Sequence, residues 1–392
     1  MELLTIVHDR KIEYIPIIYE FTGRVSRHIL FYDHAKEERA YATELKHSIE
    51  RFNAKYNVKT EIKMIEIDED SKKDMQEIAK AFEGNSENIY LNGAGADTAL
   101  FTVLSSIILR NNGKVLAYDK EENSYNLITQ NGFLNKKIEN NMNLDDFLTL
   151  MGERVLKECS KTNIEKNKEP LEELFSDTKR MFNVRHLLKS RKTKELKKRY
   201  PKMIDALAKL DIINQDGFLK GQEAYVRFGF LFEEFVYLQL EGFAFDDIKV
   251  GAKIEFDNEQ VNRRNIEISN EFDILVIQNN KIGFIECKIG DSHDPIGTVY
   301  KSDSIMEYFG ENSASLIVNM ERDKTPHLKN SKRNFGESVL LRAKTKKVDV
   351  YNAFDFSKPA FRAKVSQAFG MTLPKVFQKE QIKRLEESLS QL

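Results

Sequence analysis

The chain has 392 residues, with 61 lysines and arginines against 62 aspartates and glutamates and a formal net charge of -1. That balance excludes nucleic-acid binding by bulk charge and leaves only local patches for it, and the length exceeds what one hydrophobic core serves, so two domains and a small third are expected. Only Cys159 and Cys287 are present, far apart, which argues against a disulfide framework and fits a reducing cytoplasm; no apolar run reaches bilayer length, so a cytoplasmic protein without membrane contact is expected.

From the first residue onward, short apolar segments alternate with amphipathic ones. Strands are predicted over 3–7, 29–32, 60–67, 89–91 and 114–118, with helices through 15–18 and over 36–52, 72–82 and 98–110. This rhythm builds a doubly wound α/β sheet of Rossmann-like type, whose ligands lie at the carboxyl ends of the strands. Two loops fall there. His8, Asp9, Arg10 and Lys11 follow the first strand; Asn92, Gly93, Ala94, Gly95, Ala96, Asp97 and Thr98 follow the fourth. The second loop is rich in small residues and opens a helix, so its backbone can approach a ligand and its amides can receive an anion; a tight turn that merely needs glycine is the alternative. The ligand-binding candidates are Asp9, Arg10, Asn92, Gly93, Ala94, Gly95, Ala96 and Thr98. No Gly-x-Gly-x-x-Gly follows the first strand and no P-loop Gly-Lys-Ser/Thr occurs, so a nicotinamide or NTP-hydrolysing reading has little support.

The composition then changes. Lys189, Arg191, Lys192, Lys194, Lys197, Lys198 and Arg199 form a basic run that ends at Tyr200 and Pro201. A helix over 203–213, a turn from Asn214 to Phe218 and a short strand predict a small winged-helix-like connector. Its basic run reads either as a solvated helix face or as a track for phosphates. The expected division is 1–145, 146–222 and 223–392.

Beyond the connector, apolar residues at helical spacing over 229–237 enclose Glu233 and Glu234; Glu233 is assigned to the site and Glu234 to solvent. Two strands follow, over 271–277 and 281–288, closed into a hairpin by Asn279 and Asn280. Period-2 geometry turns Glu286 and Lys288 to one face and Ile285 and Cys287 to the other, while the hairpin brings Asp273 level with Glu286. Two carboxylates that close repel unless a cation lies between them, and Mg2+ or Mn2+ fits an all-oxygen site. Such an ion polarises a phosphoryl oxygen and acidifies a bound water, with Lys288 available to hold the water or offset charge. Glu271, two residues from Asp273, is either a further acidic group near the metal or a surface charge. A strand over 315–319 and a helix over 335–344 complete the pattern, with Arg333, Arg342 and Lys344 as possible phosphate contacts and His293 as a loop histidine.

An aspartate followed about a dozen residues later by Glu286-Cys287-Lys288 at a hairpin resembles the PD-(D/E)XK nuclease superfamily, in which a preceding helix often supplies a further glutamate, here Glu233. Joined to a Rossmann-like domain, it resembles the CARF-domain nucleases of type III CRISPR systems over nearly the whole chain. That family's loop after the fourth strand typically reads Thr-Gly-Gly-Thr-Lys; here Asn92-Gly93-Ala94-Gly95-Ala96 stands in its place, without the threonine and lysine. The resemblance implies an α/β architecture with an N-terminal CARF domain and a C-terminal restriction-endonuclease-like domain. It implies catalytic residues Asp273, Glu286, Lys288 and Glu233, a metal set of Asp273, Glu286, Cys287 and Glu233, and a homodimer that binds a cyclic oligoadenylate, foremost the tetraadenylate. The expected function is an endonuclease that cuts DNA or RNA, single-stranded or by nicking, when the ring binds. Two other readings stand beside it: a ligand-responsive transcription regulator with an inactive nuclease fold, and a restriction-type enzyme needing no small molecule.

Overall fold

The computed structural model describes residues 1–9, 11–34, 36–67, 76–78, 80, 82, 86–95, 99–214, 216–221, 223–256, 269–290, 294–310, 313–320, 335–353 and 356–373. Arg10, Ala96, Asp97, Thr98, His293, Arg333 and most of the expected 72–82 helix lie outside the described residues. The chain folds into two compact units, one of Met1–Val155 with Ile254–Asn270 and Ile277–Asn280, the other of Leu156–Lys253, Glu271–Val276 and Lys281–Leu392.

In the first unit, strands β1 (Glu2–Ile6), β2 (Arg27–Asp33), β3 (Glu61–Ile67), β4 (Ile89–Asn92), β5 (Lys114–Asp119), β6 (Ser124–Thr129) and β7 (Gly132–Lys137) form one sheet in the order β3-β2-β1-β4-β5-β6-β7. The first five are parallel and the last two antiparallel. Leu3, Leu4, Ile6, Leu30, Phe31, Leu91, Val115 and Leu116 are buried, as parallel strands covered on both faces require. Helices α1 (Lys11–Phe21), α2 (Lys36–Lys55) and α3 (Ala99–Arg110) supply that cover; in α3, Leu100, Leu104 and Ile108 recur every four residues and make one apolar stripe. The strand order reverses between β1 and β4, where such sheets open a crevice. The predicted strands lack the β6–β7 hairpin, whose outer strand is exposed throughout, Phe133 and Leu134 included, and carries no core-facing alternation.

Helix α4 (Leu144–Met151) starts at Asn143, whose side chain accepts the Asp146 amide, and stops at Gly152 with φ 94°. The fully buried Asp146 carboxylate takes the Lys55 ammonium at 2.7 Å and the Tyr56 hydroxyl at 2.8 Å, which ties α4 to α2. A buried charge is held this way only when it is paired and hydrogen-bonded.

The second sheet runs β13-β12-β11-β10-β9-β8, with β8 (Glu153–Lys157), β9 (Asp247–Phe256), β10 (Ser269–Gln278), β11 (Lys281–Ile289), β12 (Ala314–Met320) and β13 (Asp349–Ala353). β11, β12 and β13 are parallel, with Glu286 level with Ile317 and Lys288 level with Asn319. The connections are α11 (Pro295–Phe309) and α12 (Glu337–Thr345), as parallel neighbours demand. Ahead of the sheet come α5 (Lys161–Lys166), α6 (Lys168–Phe175), α7 (Thr178–Lys189), α8 (Thr193–Arg199), α9 (Pro201–Lys209) and α10 (Glu223–Gln239); α13 (Lys358–Ala368) follows it. On α10, Phe228, Leu231, Phe232, Phe235 and Val236 are buried in one core with Ile274, Val276, Ile285, Cys287, Leu316 and Val318, and Phe175 of α6 stacks on Phe235 at 5.0 Å. Among the described residues no helix is long and apolar enough to cross a membrane.

His28 on β2 is buried, its Nε2 2.9 Å from the Thr5 hydroxyl, and burial lowers its pKa to about 3. The folded chain therefore refuses a proton that the unfolded chain accepts near pH 6.5, so the stability contribution is complete above that value and is lost as pH falls toward 3. From pH 7 to pH 5 this group is expected to lower stability by about 2 kcal/mol. Urea denaturation at the two pH values should show it, with a smaller difference in His28→Gln.

Candidate active site and ligand crevice

Alternation on β11 sends Ile285 and Cys287 into the core and leaves Glu286 and Lys288 on the opposite face. Lys288 Nζ lies 2.5 Å from Glu286 Oε1 and 3.9 Å from Asp273 Oδ2, so one ammonium serves carboxylates from two adjacent strands. Asp273 Oδ2 also accepts the Cys287 backbone N–H at 2.6 Å, which locks the carboxylate to the middle of the Glu286-Cys287-Lys288 run. Glu286 is 8% exposed at its side chain and Asp273 15%, against 33% for Lys288, so the acids sit below the ammonium.

Burial raises the Asp273 pKa to about 6, with Glu286 adding to the rise and Lys288 opposing it. Burial draws the Lys288 ammonium down, but the Asp273 and Glu286 carboxylates and the Glu286 hydrogen bond outweigh it and lift its pKa above the ordinary value. Glu233 on α10 is buried and pushed up to about 9, first by desolvation and then by Asp273 and Glu271.

Glu271 is exposed on β10. Glu234, expected to face solvent, instead has its Oε2 enclosed with no hydrogen-bond partner among the described residues; burial raises its pKa and Arg227 counters the rise. The Cys287 thiol packs in the core, and burial raises it well above the ordinary thiol value, so only its main chain faces Asp273. Lys301 on α11, absent from the predicted set, places Nζ 3.7 Å from Glu286 Oε1. Its only trace in sequence is a lysine on the helix that follows the Glu-x-Lys strand. Arg342 on α12 donates to the Tyr300 hydroxyl at 3.1 Å.

Mg2+ binds through one or two carboxylates and keeps several waters. Asp273 and Glu286 supply hard oxygen donors and converge on one cation, both of which suit such an ion. Among the described residues no three Asp, Glu, His or Cys side chains are grouped closely enough to hold a metal alone, so main-chain oxygen or water must complete the shell.

In the first unit, β1 and β4 are neighbours, with Thr5 level with Asn92, so the loops that follow them face one crevice. Buried Asn92 donates its amide N–H to the Tyr14 carbonyl at 3.2 Å and accepts the Ala94 N–H at 3.2 Å, which fixes the start of the small-residue loop. Gly95 has φ +70°, and a methyl group there would stand 2.1 Å from Glu13 Oε2 and 2.7 Å from the His8 ring. The loop thus presses backbone against His8 and Glu13, and His8 meets Tyr14 edge-on at 5.2 Å between ring centroids. Gly93 is as close to Phe101. Asp9 is 70% exposed and 3.8 Å from the His8 ring. Neither His8 nor Glu13 belonged to the predicted ligand set; only the β1–β4 pairing shows that they share a wall with the second loop.

These elements can be set beside known proteins. Residues 222–334 match the Card1-like endonuclease domain. The Card1-like segment contains Glu233, Asp273, Glu286, Lys288 and Lys301, that is, every side chain at the shared ammonium. Over almost the whole chain the fold is similar to protein VC1899 from Vibrio cholerae, with 14% identity, TM-score 0.67, and 94% of this chain and 97% of that one covered. It is also similar to Can2 from Sulfobacillus thermosulfidooxidans, solved in complex with cyclic tetra-adenylate, with 16% identity, TM-score 0.65, and 94% and 96% covered. No curated protein matches in sequence. At these identities the structural likeness establishes the architecture, a CARF-type sheet followed by an endonuclease-type α/β unit, as the resemblance implied.

Buried like charges that serve a site cost stability in its absence. With a pKa near 9, Glu233 is protonated in the folded chain at pH 7.5 but ionised in the unfolded one, so Glu233→Gln, which keeps the shape and cannot ionise, is expected in a chelating buffer at that pH to stabilise the protein by about 2–4 kcal/mol. A raised urea midpoint checks this; Glu271→Gln, at the exposed position, should leave the midpoint unchanged.

Proposed function

We propose that the protein is a divalent-metal-dependent endonuclease for DNA or RNA, acting on single strands or by nicking, and activated by cyclic oligoadenylate in type III CRISPR antiviral defence. The observation that carries this reading is the convergence of the Asp273 and Glu286 carboxylates on the Lys288 ammonium inside a Card1-like segment. In this reading residues 1–145 sense the ligand, 146–222 connect and 223–392 cut.

Asp273 and Glu286 hold Mg2+ or Mn2+, with Glu233 and the Cys287 main chain as the remaining protein contributors. When bound, the ion supplies Lewis-acid polarisation of a phosphoryl oxygen and a water of lowered pKa. The Cys287 N–H keeps one oxygen of Asp273 fixed, so the carboxylate does not swing as substrate arrives. Lys288 stands more exposed than either acid and reaches outward, where its ammonium orients the attacking water and offsets charge gathering on the phosphate. Lys301, beside the same Glu286 oxygen as Lys288, adds a second positive group at the phosphate. No side-chain nucleophile is needed.

The activator is assigned to the crevice between the β1 and β4 loops. Can2 holds cyclic tetra-adenylate and shares the fold across this region, and the same ring is the proposed ligand here. A two-fold ring suits a pair of identical sensor units, hence a homodimer. Activation requires that the ring bind the competent state more tightly; a 100-fold preference shifts the equilibrium by about 2.7 kcal/mol.

Purified protein incubated with labelled DNA and RNA should cut only when both Mn2+ and cyclic tetra-adenylate are present. Glu286→Ala and Lys288→Ala are expected to lower turnover at least about 100-fold without changing ligand affinity. Equal degradation with and without ligand, or full activity in Glu286→Ala, discards the reading. In the sensor, Gly95→Ala drives a methyl group into Glu13 and His8 at a left-handed φ, and calorimetry should find activator affinity weakened by about 10-fold or more.

A further inference from the structure

The nuclease site leaves the basic run unused, and the structure gives that run a shape. Seven basic residues and one acidic residue lie between Lys189 and Arg199, in a chain whose total charge is -1. Leu196 is buried and anchors α8, while the other residues of the helix are at least partly open to solvent. Glu195 engages Lys192 and Arg199. Lys194, Lys197 and Lys198 are exposed and form no ion pair with a described residue.

The turn after α9 folds back beside this helix. Asn214 and Phe218 exchange two hydrogen bonds, Asn214 N–H to the Phe218 carbonyl and Phe218 N–H to Asn214 Oδ1, both 2.9 Å, and Ile213 bridges Leu219 in antiparallel fashion. Gly217 has φ +83°, and a methyl group there would stand 2.6 Å from Lys197 Cε, so the turn lies directly under the lysine stem. The next residue, Phe218, is 56% exposed. A tight, hydrogen-bonded turn thus presents an apolar ring to water next to three uncompensated ammonium groups.

We propose that α8 and this turn bind single-stranded nucleic acid: Lys194, Lys197 and Lys198 take backbone phosphates, and Phe218 stacks on a base. A phenyl ring has no hydrogen-bonding group and reads only a base's π-face, which neighbouring pairs cover in a duplex; an unpaired base is therefore the partner it fits. The proposal rests on the nuclease reading for the class of partner and not on the metal site.

The chain contains no tryptophan, so Phe218→Trp places the sole indole at the turn. Full-length protein in EDTA, where nothing is cut, is titrated with a labelled oligothymidylate of about 20 nucleotides, its abasic analogue and a duplex of equal length. Oligothymidylate should quench the indole and the abasic strand should not. Phe218→Ala should weaken oligothymidylate binding about 10-fold and leave duplex binding unchanged. Replacing Lys194, Lys197 and Lys198 together by Gln should flatten the slope of log affinity against log salt by about 2. An unquenched indole in a saturated complex, equal affinity for abasic and intact strands, or an unchanged salt slope overturns the proposal. If the quench and the salt effect appear while no metal and ring combination gives cleavage, the nuclease reading falls and this one stands; cleavage with none of these effects gives the reverse.

Discussion

One ammonium group between two carboxylates organises the second unit. Lys288 touches Glu286 on its own strand and reaches Asp273 on the neighbouring one, and the Cys287 N–H closes the arrangement from the backbone side. Three charges at the edge of a phenylalanine-rich core are tolerable only because each acid has a partner, and taking one partner away leaves a buried charge uncompensated. The compensation is incomplete even so. Asp273 and Glu233 both resist ionisation in this environment, and a divalent cation beside them would favour their ionised forms. Instability and receptivity are the same electrostatic fact seen from two sides.

The first unit solves a different problem with similar means. Its central parallel strands are largely buried, and the reversal of order between β1 and β4 places the loops that follow them side by side at the strand ends. Gly93 and Gly95 let backbone lie where side chains would collide with Phe101, Glu13 and His8.

Much of this was readable from residues alone, and the exceptions share a cause. The five parallel strands of the first sheet, β10 and β11 announced themselves by apolar runs and period-2 alternation, and the facing of Glu286 and Lys288 followed from parity. Glu234 misled because helical spacing predicts a solvent side, whereas α10 is covered by α6 as well as by its sheet. His8, Glu13 and Lys301 escaped because each acquires meaning only through a partner far away in the chain: the first two through the pairing of β1 with β4, the last through the crossover that returns α11 over β11. The β6–β7 hairpin escaped for the opposite reason, since it buries too little to leave a pattern.

β11 lies between β10 and β12, and its Glu286 and Lys288 alternate with core-facing Ile285 and Cys287. A slip of one residue in that strand would turn Glu286 and Lys288 into the apolar core and place Ile285 and Cys287 on the face that carries Asp273, a state far too costly to persist. The register is held from both sides, because β11 pairs in parallel with β12 while Asp273 on β10 accepts the Cys287 N–H.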